Sequence, residues 1–264
     1  TWHYAYNVEP LRLEVSRLSL PLARLGRAFE GYRLVQISDL HVDERTSRTR
    51  LEGIVARVNA ERPDMVVITG DFVTRHPERY AGLLAAALGG LEARDGVLAV
   101  LGNHDHWAGA EGVRLILEQA GIRELENRVH TLERGPDRLH LAGIDDVMND
   151  ADRLDRVLEQ VPEDGAAILL AHEPDFARSS SASGRFDLQL SGHSHGGQVW
   201  LPLVGPPFLP AMTQRYPRGL YRVGDMWLYT NRGLGVVHVP VRFNSRPEIT
   251  VLTLKAIPGD DRQT

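Results

Sequence analysis

RLVQISDLH, Arg33 to His41, is an apolar run that ends on an aspartate and a histidine. The β-branched and aliphatic residues of RLVQI favour a buried strand, and metal-liganding residue types follow where that strand must stop. The arrangement recurs along the chain. DMVVI leads into TGD (Thr69 to Asp71), GVLAV into GNHD (Gly102 to Asp105), AILL into AHEP (Ala171 to Pro174) and DLQL into GHSH (Gly192 to His195). In an open α/β sheet the carboxyl ends of strands converge on one edge, where ligands bind. Segments far apart in sequence are therefore expected to meet, and their side chains predict one two-metal hydrolytic centre.

Between these strands the pattern changes to a helical period. Ser47 to Ala60 carries Leu51, Ile54, Val55 and Val58 on one face and exits at Pro63. Glu78 to Leu91, Gly109 to Ala120 and Asp152 to Val161 read as further helices. Upstream, Leu11, Leu13, Val15, Leu18 and Leu20 alternate as a first strand or hairpin arm. VHTLE and LHLAGI read as short strands about a turn at Gly135 and Pro136, and the last third adds QVWLP, GLYRV, MWLYTN and EITVLTL. The expected class is α/β, a mixed sheet pair with flanking helices. At 264 residues it needs only one domain: an N-terminal strand arm over 1–30, a core over about 31–255 and a frayed tail over 256–264.

Composition narrows the chemistry. The net charge of −5 argues against a dedicated nucleic-acid binder. Cysteine is absent, so any metal takes nitrogen and oxygen ligands, a set compatible with Mn, Fe, Zn, Co or Ni. Lys255 is the only lysine; arginine's planar fork suits phosphate oxygens, although a general compositional bias accounts for it as well. The chain opens on Thr1 rather than methionine, and Trp2, Tyr4 and Tyr6 follow. That opening fits the interfacial end of a hydrophobic anchor or export segment, and equally the packing of a terminal strand. The corresponding expectation is a membrane-associated or exported domain.

Each motif alone is weak. Asp39 and His41 are two apart, so that a carboxylate and an imidazole can face one cation; Asp71 has two oxygens able to bridge two cations. Asn103 offers a neutral oxygen, and His172, His193 and His195 offer imidazoles. Asp43 and His106 lie just beyond these motifs and read as solvated loop residues or contacts of water and substrate. Asp145 and Asp146 read as a turn. His3, His76, His130, His140 and His238 have no motif context and read as structural or surface groups.

Taken together, D-x-H, GD, GNHD, H and GHSH in this order resemble the calcineurin-like metallophosphoesterase superfamily, over about Arg33 to Gln198. The resemblance implies a two-sheet mixed β-sandwich flanked by helices on both faces, and two divalent metal ions. Asp39, His41, Asp71 and His195 would hold the first, and Asp71, Asn103, His172 and His193 the second, with Asp71 shared. It implies hydrolysis by metal-activated hydroxide, with His104 stabilising or protonating the leaving oxygen. Asp105 would orient the His104 ring, or else cap the following helix. RYPRGLYRVG and RGLG are similar to a branch of small bacterial members, often membrane-linked, some of which cleave a sugar-nucleotide lipid precursor. Arg215, Arg218 and Arg232 are candidate phosphate or head-group contacts there, or else solvated surface groups. Independently of that likeness, Leu201 to Tyr216 is unusually apolar and proline-rich for a loop after such a motif, and is a candidate lip for an acyl chain or membrane surface, or else a loop packed quietly on the core. The expected activity is phosphodiester or pyrophosphate hydrolysis, on a substrate that could be lipid-linked. A nuclease or broad phosphomonoesterase, and a metal-binding scaffold without turnover, are the alternatives. Oligomeric state is open.

Overall fold

In the computed structural model, which describes residues 2–257, the apolar runs read above become two six-stranded sheets packed face to face. In chain order the strands are β1 (Glu14–Leu22), β2 (Arg33–Ile37), β3 (Met65–Thr69), β4 (Val97–Val100), β5 (Arg123–Glu124), β6 (Arg128–Arg134), β7 (Asp137–Gly143), β8 (Ala166–Leu170), β9 (Leu188–Ser191), β10 (Gly219–Val223), β11 (Met226–Thr230) and β12 (Glu248–Ala256). The helices are α1 (Arg48–Ala60), α2 (Pro77–Leu88), α3 (Asn103–Gln119), α4 (Leu154–Gln160) and α5 (Ala177–Ala182). One sheet has the order β1-β12-β2-β3-β4-β5 and the other β10-β11-β9-β8-β7-β6. β2, β3 and β4 are parallel, as are β7, β8 and β9, while β12 against β2 and β10 against β11 are antiparallel.

The strands are continuous apolar runs because both of their faces are buried. In β3, Met65 and Val67 enter the layer between the sheets, whereas Val66 and Ile68 face the layer under α1, α2 and α3. β8 repeats this with Ile168 and Leu170 inward and Ala167 and Leu169 outward, against Val157 of α4 and Ala177 of α5. Period-2 alternation thus feeds three apolar layers, a helix-sheet-sheet-helix sandwich. Ser47 caps α1 by accepting from the Arg50 amide at 3.2 Å.

Three expectations are corrected. The opening residues are not a strand: Tyr4–Val8 and Glu9–Leu11 form helical turns, with Trp2 and Tyr6 exposed, and β1 starts at Glu14. QVWLP makes only isolated bridges, Val199 to Phe243 and Leu201 to Gly205. Gln198 is left-handed at φ 53° and Pro202 lacks an amide to donate, so no ladder can extend there. α3 begins at Asn103, inside GNHD, and breaks at Gly109 (φ 113°), the residue where sequence periodicity starts the helix. Ala256 is the last residue of β12, and the rest of the expected frayed tail, from 258, lies outside the described residues.

Candidate metal centre

The five motif loops leave the ends of β2, β3, β4, β8 and β9 and converge between the two sheets. Asp39, His41, Asp71, Asn103, His172, His193 and His195 are all buried. The donor atoms of Asp39, His41 and His195 lie within 4.8 Å of one another, as do those of Asp71, His172 and His193. Asp71 joins the groups: its Oδ2 is 3.2 Å from His41 Nε2 and 3.2 Å from His172 Nε2. His195 Nε2 is 3.0 Å from His41 Nε2, and His193 Nδ1 is 3.2 Å from His172 Nε2.

The chain holds these groups at a conformational cost. Asp39, His41, Asp71, His193 and His195 all adopt left-handed backbone, φ 45–65°, each at roughly 1–3 kcal/mol. Asp and His tolerate this region better than most residues, which is compatible with their use here. Gly102 lets two loops touch: a Cβ there would stand 2.4 Å from Asp71 Oδ1 and 2.7 Å from His172 Cε1.

Hydrogen bonds leave one donor atom of each second-group imidazole aimed inward. His172 Nδ1 donates to Thr69 O at 2.6 Å, and His193 Nε2 to Ala211 O at 3.0 Å, so His172 Nε2 and His193 Nδ1 are the nitrogens that face the site; that of His193 carries a lone pair, and that of His172 would offer one once a cation displaced its proton. Burial, together with the charge on His172, pulls His193 down to about 3; burial, His41 and Arg242 hold His195 well below the usual histidine range. Both stay neutral, the state a cation requires of an imidazole. Burial opposes the ionised form of Asp71, yet His172 and His41 hold its carboxyl well below the usual range. Burial also opposes the charge on His172, but the Asp71 carboxylate raises it well above. Asn103 Oδ1 is buried with no hydrogen-bond partner, a cost of about 1–3 kcal/mol that a bound cation would remove. The donor set therefore fits metal ions.

Around the donors, His104 is half-buried, its ring edge-on to His41 at 4.8 Å between centroids. The sequence kept it outside the ligand set, whereas its ring nitrogen falls within one donor group with His41 and Asp71. Asp105 makes no hydrogen bond to the His104 ring. Its carboxylate accepts the amides of Asp71 (2.8 Å), Phe72 (2.8 Å), Val73 (3.3 Å) and Gly102 (3.0 Å). It thereby caps α3 and fastens the TGD loop to the GNHD loop. Burial and the Asp71 carboxylate push its pKa up to about 7, against the amides of Gly102 and Val73. Asp105→Asn turns one acceptor oxygen into an NH2 group facing amide donors, and should cost about 2–3 kcal/mol in chemical denaturation. A loss under about 0.5 kcal/mol would show that this brace is not needed.

The remaining site candidates separate. Arg218 and Arg232 line a cavity of about 570 Å³ whose lining includes none of the seven donor residues. Arg218 stacks on Trp200 at 3.5 Å, and Arg232 pairs with Glu248 at 3.0 Å, its stem running past Gly196. Arg215 is exposed, its amide donating to Asp175. His106 turns away to Asp145 at 2.7 Å, and Asp145 and Asp146 accept amides of the turn they begin.

Sequence reasoning missed Arg242, Trp107 and the position of His238. Arg242 is fully buried, donates to the carbonyls of Arg232, Gly233, Gly235 and Ser245, and lies 3.5 Å from His195 Nδ1. An arginine inside the apolar stretch VPVRF was its only signal. Trp107 is 60% exposed with its ring 5.0 Å from that of His104. His238 is exposed and 6.4 Å from His104 by ring centroids.

A model of the calcineurin-like phosphoesterase family matches residues 32–197, the span that contains all seven donors. The chain belongs to this family. Metallophosphoesterases of this kind are metal-dependent phosphoester hydrolases, and the buried donor groups are its candidate metal-binding residues. The uncharacterized metallophosphoesterase YkuE of Bacillus subtilis is 34% identical over 257 residues, covering 96% of this chain and 89% of that protein. Phosphodiesterase YaeI of Escherichia coli is 30% identical over 255 residues, covering 95% and 92%. The transmembrane protein with metallophosphoesterase domain of Danio rerio is 35% identical over 255 residues, but this chain spans only 57% of its length.

Proposed function

We propose that this calcineurin-like phosphoesterase hydrolyses a phosphodiester or pyrophosphate bond using two divalent cations, on an amphiphilic, lipid-linked substrate. The observation that carries the two-cation reading is the single Asp71 Oδ2 placed 3.2 Å from an imidazole of each donor group. Asp39, His41 and His195 would complete one set, and Asn103, His172 and His193 the other. Cations held there polarise a phosphoryl oxygen and lower the pKa of water. The protein's own groups do the rest. Thr69 O and Ala211 O fix the tautomers of His172 and His193, Asp105 braces the loops, and His104 presents a ring N–H to the oxygen that gains charge.

Preference for a diester is supported by the activity in the name of the E. coli relative. An amphiphile is supported by an apolar cavity of about 310 Å³ that reaches His195 and is walled by Trp2, Phe208, Val237 and Val239. Leu203, Val204 and Phe208 project into solvent from the neighbouring loop, and favour the lip over the quietly packed alternative. No helix among the described residues is long and apolar enough to cross a membrane. These exposed groups support a domain that works at a membrane surface, as does a relative named as a transmembrane protein.

The test is hydrolysis of bis-p-nitrophenyl phosphate against p-nitrophenyl phosphate by metal-stripped protein resupplied with Mn, Fe, Zn, Co or Ni. Metal-restored diester preference is expected. Monoester preference would make the protein a phosphomonoesterase, and bound metal without turnover on any phosphoester would favour the scaffold.

A further inference from the structure

A second cleft adjoins the loop that carries His41 and shares one wall residue, His238, with the apolar cavity. Its volume is about 390 Å³, and Thr74, Arg75, Arg79 and His238 line it with Arg45 and Asp43. Thr74 ties it to the centre, since Thr74 Oγ1 donates to the carbonyl of His41 at 3.2 Å. His238 lines both cavities and is the ridge between them.

The charges in this cleft are not balanced internally. Asp43 is occupied by Arg45, 2.9 Å away, and His76 stands 3.4 Å from Glu78. Glu44 on the rim is exposed and is the one remaining acid of the lining. Arg75 and Arg79 are both exposed, and among the described residues neither has an ion-pair partner. Arg79 also sits in the first turn of α2, where the helix dipole disfavours a cation. Two unpaired guanidiniums beside one acid leave the cleft positive, and guanidinium geometry matches phosphate oxygens.

We propose that Arg75 and Arg79 receive a second phosphate of the substrate, across the His238 ridge from the apolar cavity. The inference rests on the phosphoesterase reading and fixes substrate polarity: apolar group toward His195 and Phe208, second anion toward α2. That second phosphate could be the neighbouring phosphoryl of a pyrophosphate or one carried further along the substrate. Both share one chemistry, and spacer length tells them apart.

The experiment measures inhibition of bis-p-nitrophenyl phosphate hydrolysis by metal-loaded protein, using alkanediol bisphosphates of increasing spacer and alkyl monophosphates of equal length. The readout is the ratio of the two inhibition constants within each protein, so the monophosphate value reports an intact centre. Wild type should prefer a bisphosphate by about tenfold or more, the size of one charge-assisted contact. In Arg75→Gln/Arg79→Gln the ratio should fall to near one, and Arg75→Lys/Arg79→Lys should keep part of it. A best spacer at the short end assigns a pyrophosphate; one at the long end assigns a distal phosphate. A wild-type ratio near one at every spacer, or a ratio unchanged in the glutamine variant, overturns the proposal. If the wild type binds metal but does not turn over the diester, the diesterase reading fails by itself, and calorimetric binding of the same compounds reads the same ratio.

Discussion

Asp71→Asn should abolish phosphoester hydrolysis and release at least one equivalent of metal. The substitution preserves shape, and its Oδ1 can still accept the His104 amide now 2.9 Å away, so the TGD loop keeps its geometry. What it removes is the negative charge on the one oxygen within 3.2 Å of both His41 and His172. That charge holds together two groups of imidazoles in a buried site, where electrostatic terms are much larger than in water. Two cations, one in each group, would lose the anionic ligand they share, and His172 would lose the partner that raises it. Turnover should fall by about 10³-fold or more, beyond the loss of one ordinary transition-state donor. Elemental analysis by mass spectrometry, read beside the rate, decides the matter. Near-normal turnover with full metal content would mean that the two groups work independently and that Asp71 is not shared.

Much of this site was legible in the sequence because strand ends are legible. A run such as DMVVI has a period and a composition, Gly70 and Asp71 mark where it stops, and parallel strands put their carboxyl ends on one edge. The helix faces were equally open to reading: Leu51, Ile54, Val55 and Val58 are all buried on α1. What escaped was whatever depends on a partner distant in sequence. Asp105 follows His104, which suggested a role on its ring, yet its oxygens are claimed by amides of the TGD loop, some 33 residues earlier. Arg218 and Arg232 lie in two Gly- and Arg-rich stretches, and Gly233 does pack on Asp39, but the Arg218 side chain is held on Trp200 and that of Arg232 by Glu248, in a cavity lined by none of the donors. His238 carries no motif at all; only the loop containing it brings the ring near His104. The strand expected at QVWLP failed for a local reason, because the Gln198 backbone is left-handed immediately after the two glycines.

His104→Ala should separate turnover from metal content. The ring lies edge-on to His41, and burial pulls its pKa down to about 4, so the imidazole is neutral near pH 7 and keeps an N–H to donate. Its backbone amide, not its ring, makes the bond to Asp71 Oδ1, and alanine retains that amide. The donor sets of Asp39 with His195, and of His172 with His193, are untouched by the change. If the ring stabilises the leaving oxygen, removing it should cost about 10²–10⁴ in kcat while bound metal stays at the wild-type level. The loss should also depend on the leaving group. p-Nitrophenolate departs with little help, whereas an alkyl alkoxide needs a proton or a hydrogen bond, so an alkyl phosphodiester should suffer the larger decrease. The structure supplies the competing outcome, because the His104 ring also falls within one donor group with His41 and Asp71. Loss of metal together with activity, equal for both kinds of leaving group, would place His104 among the ligands and remove it from the chemistry of the leaving oxygen.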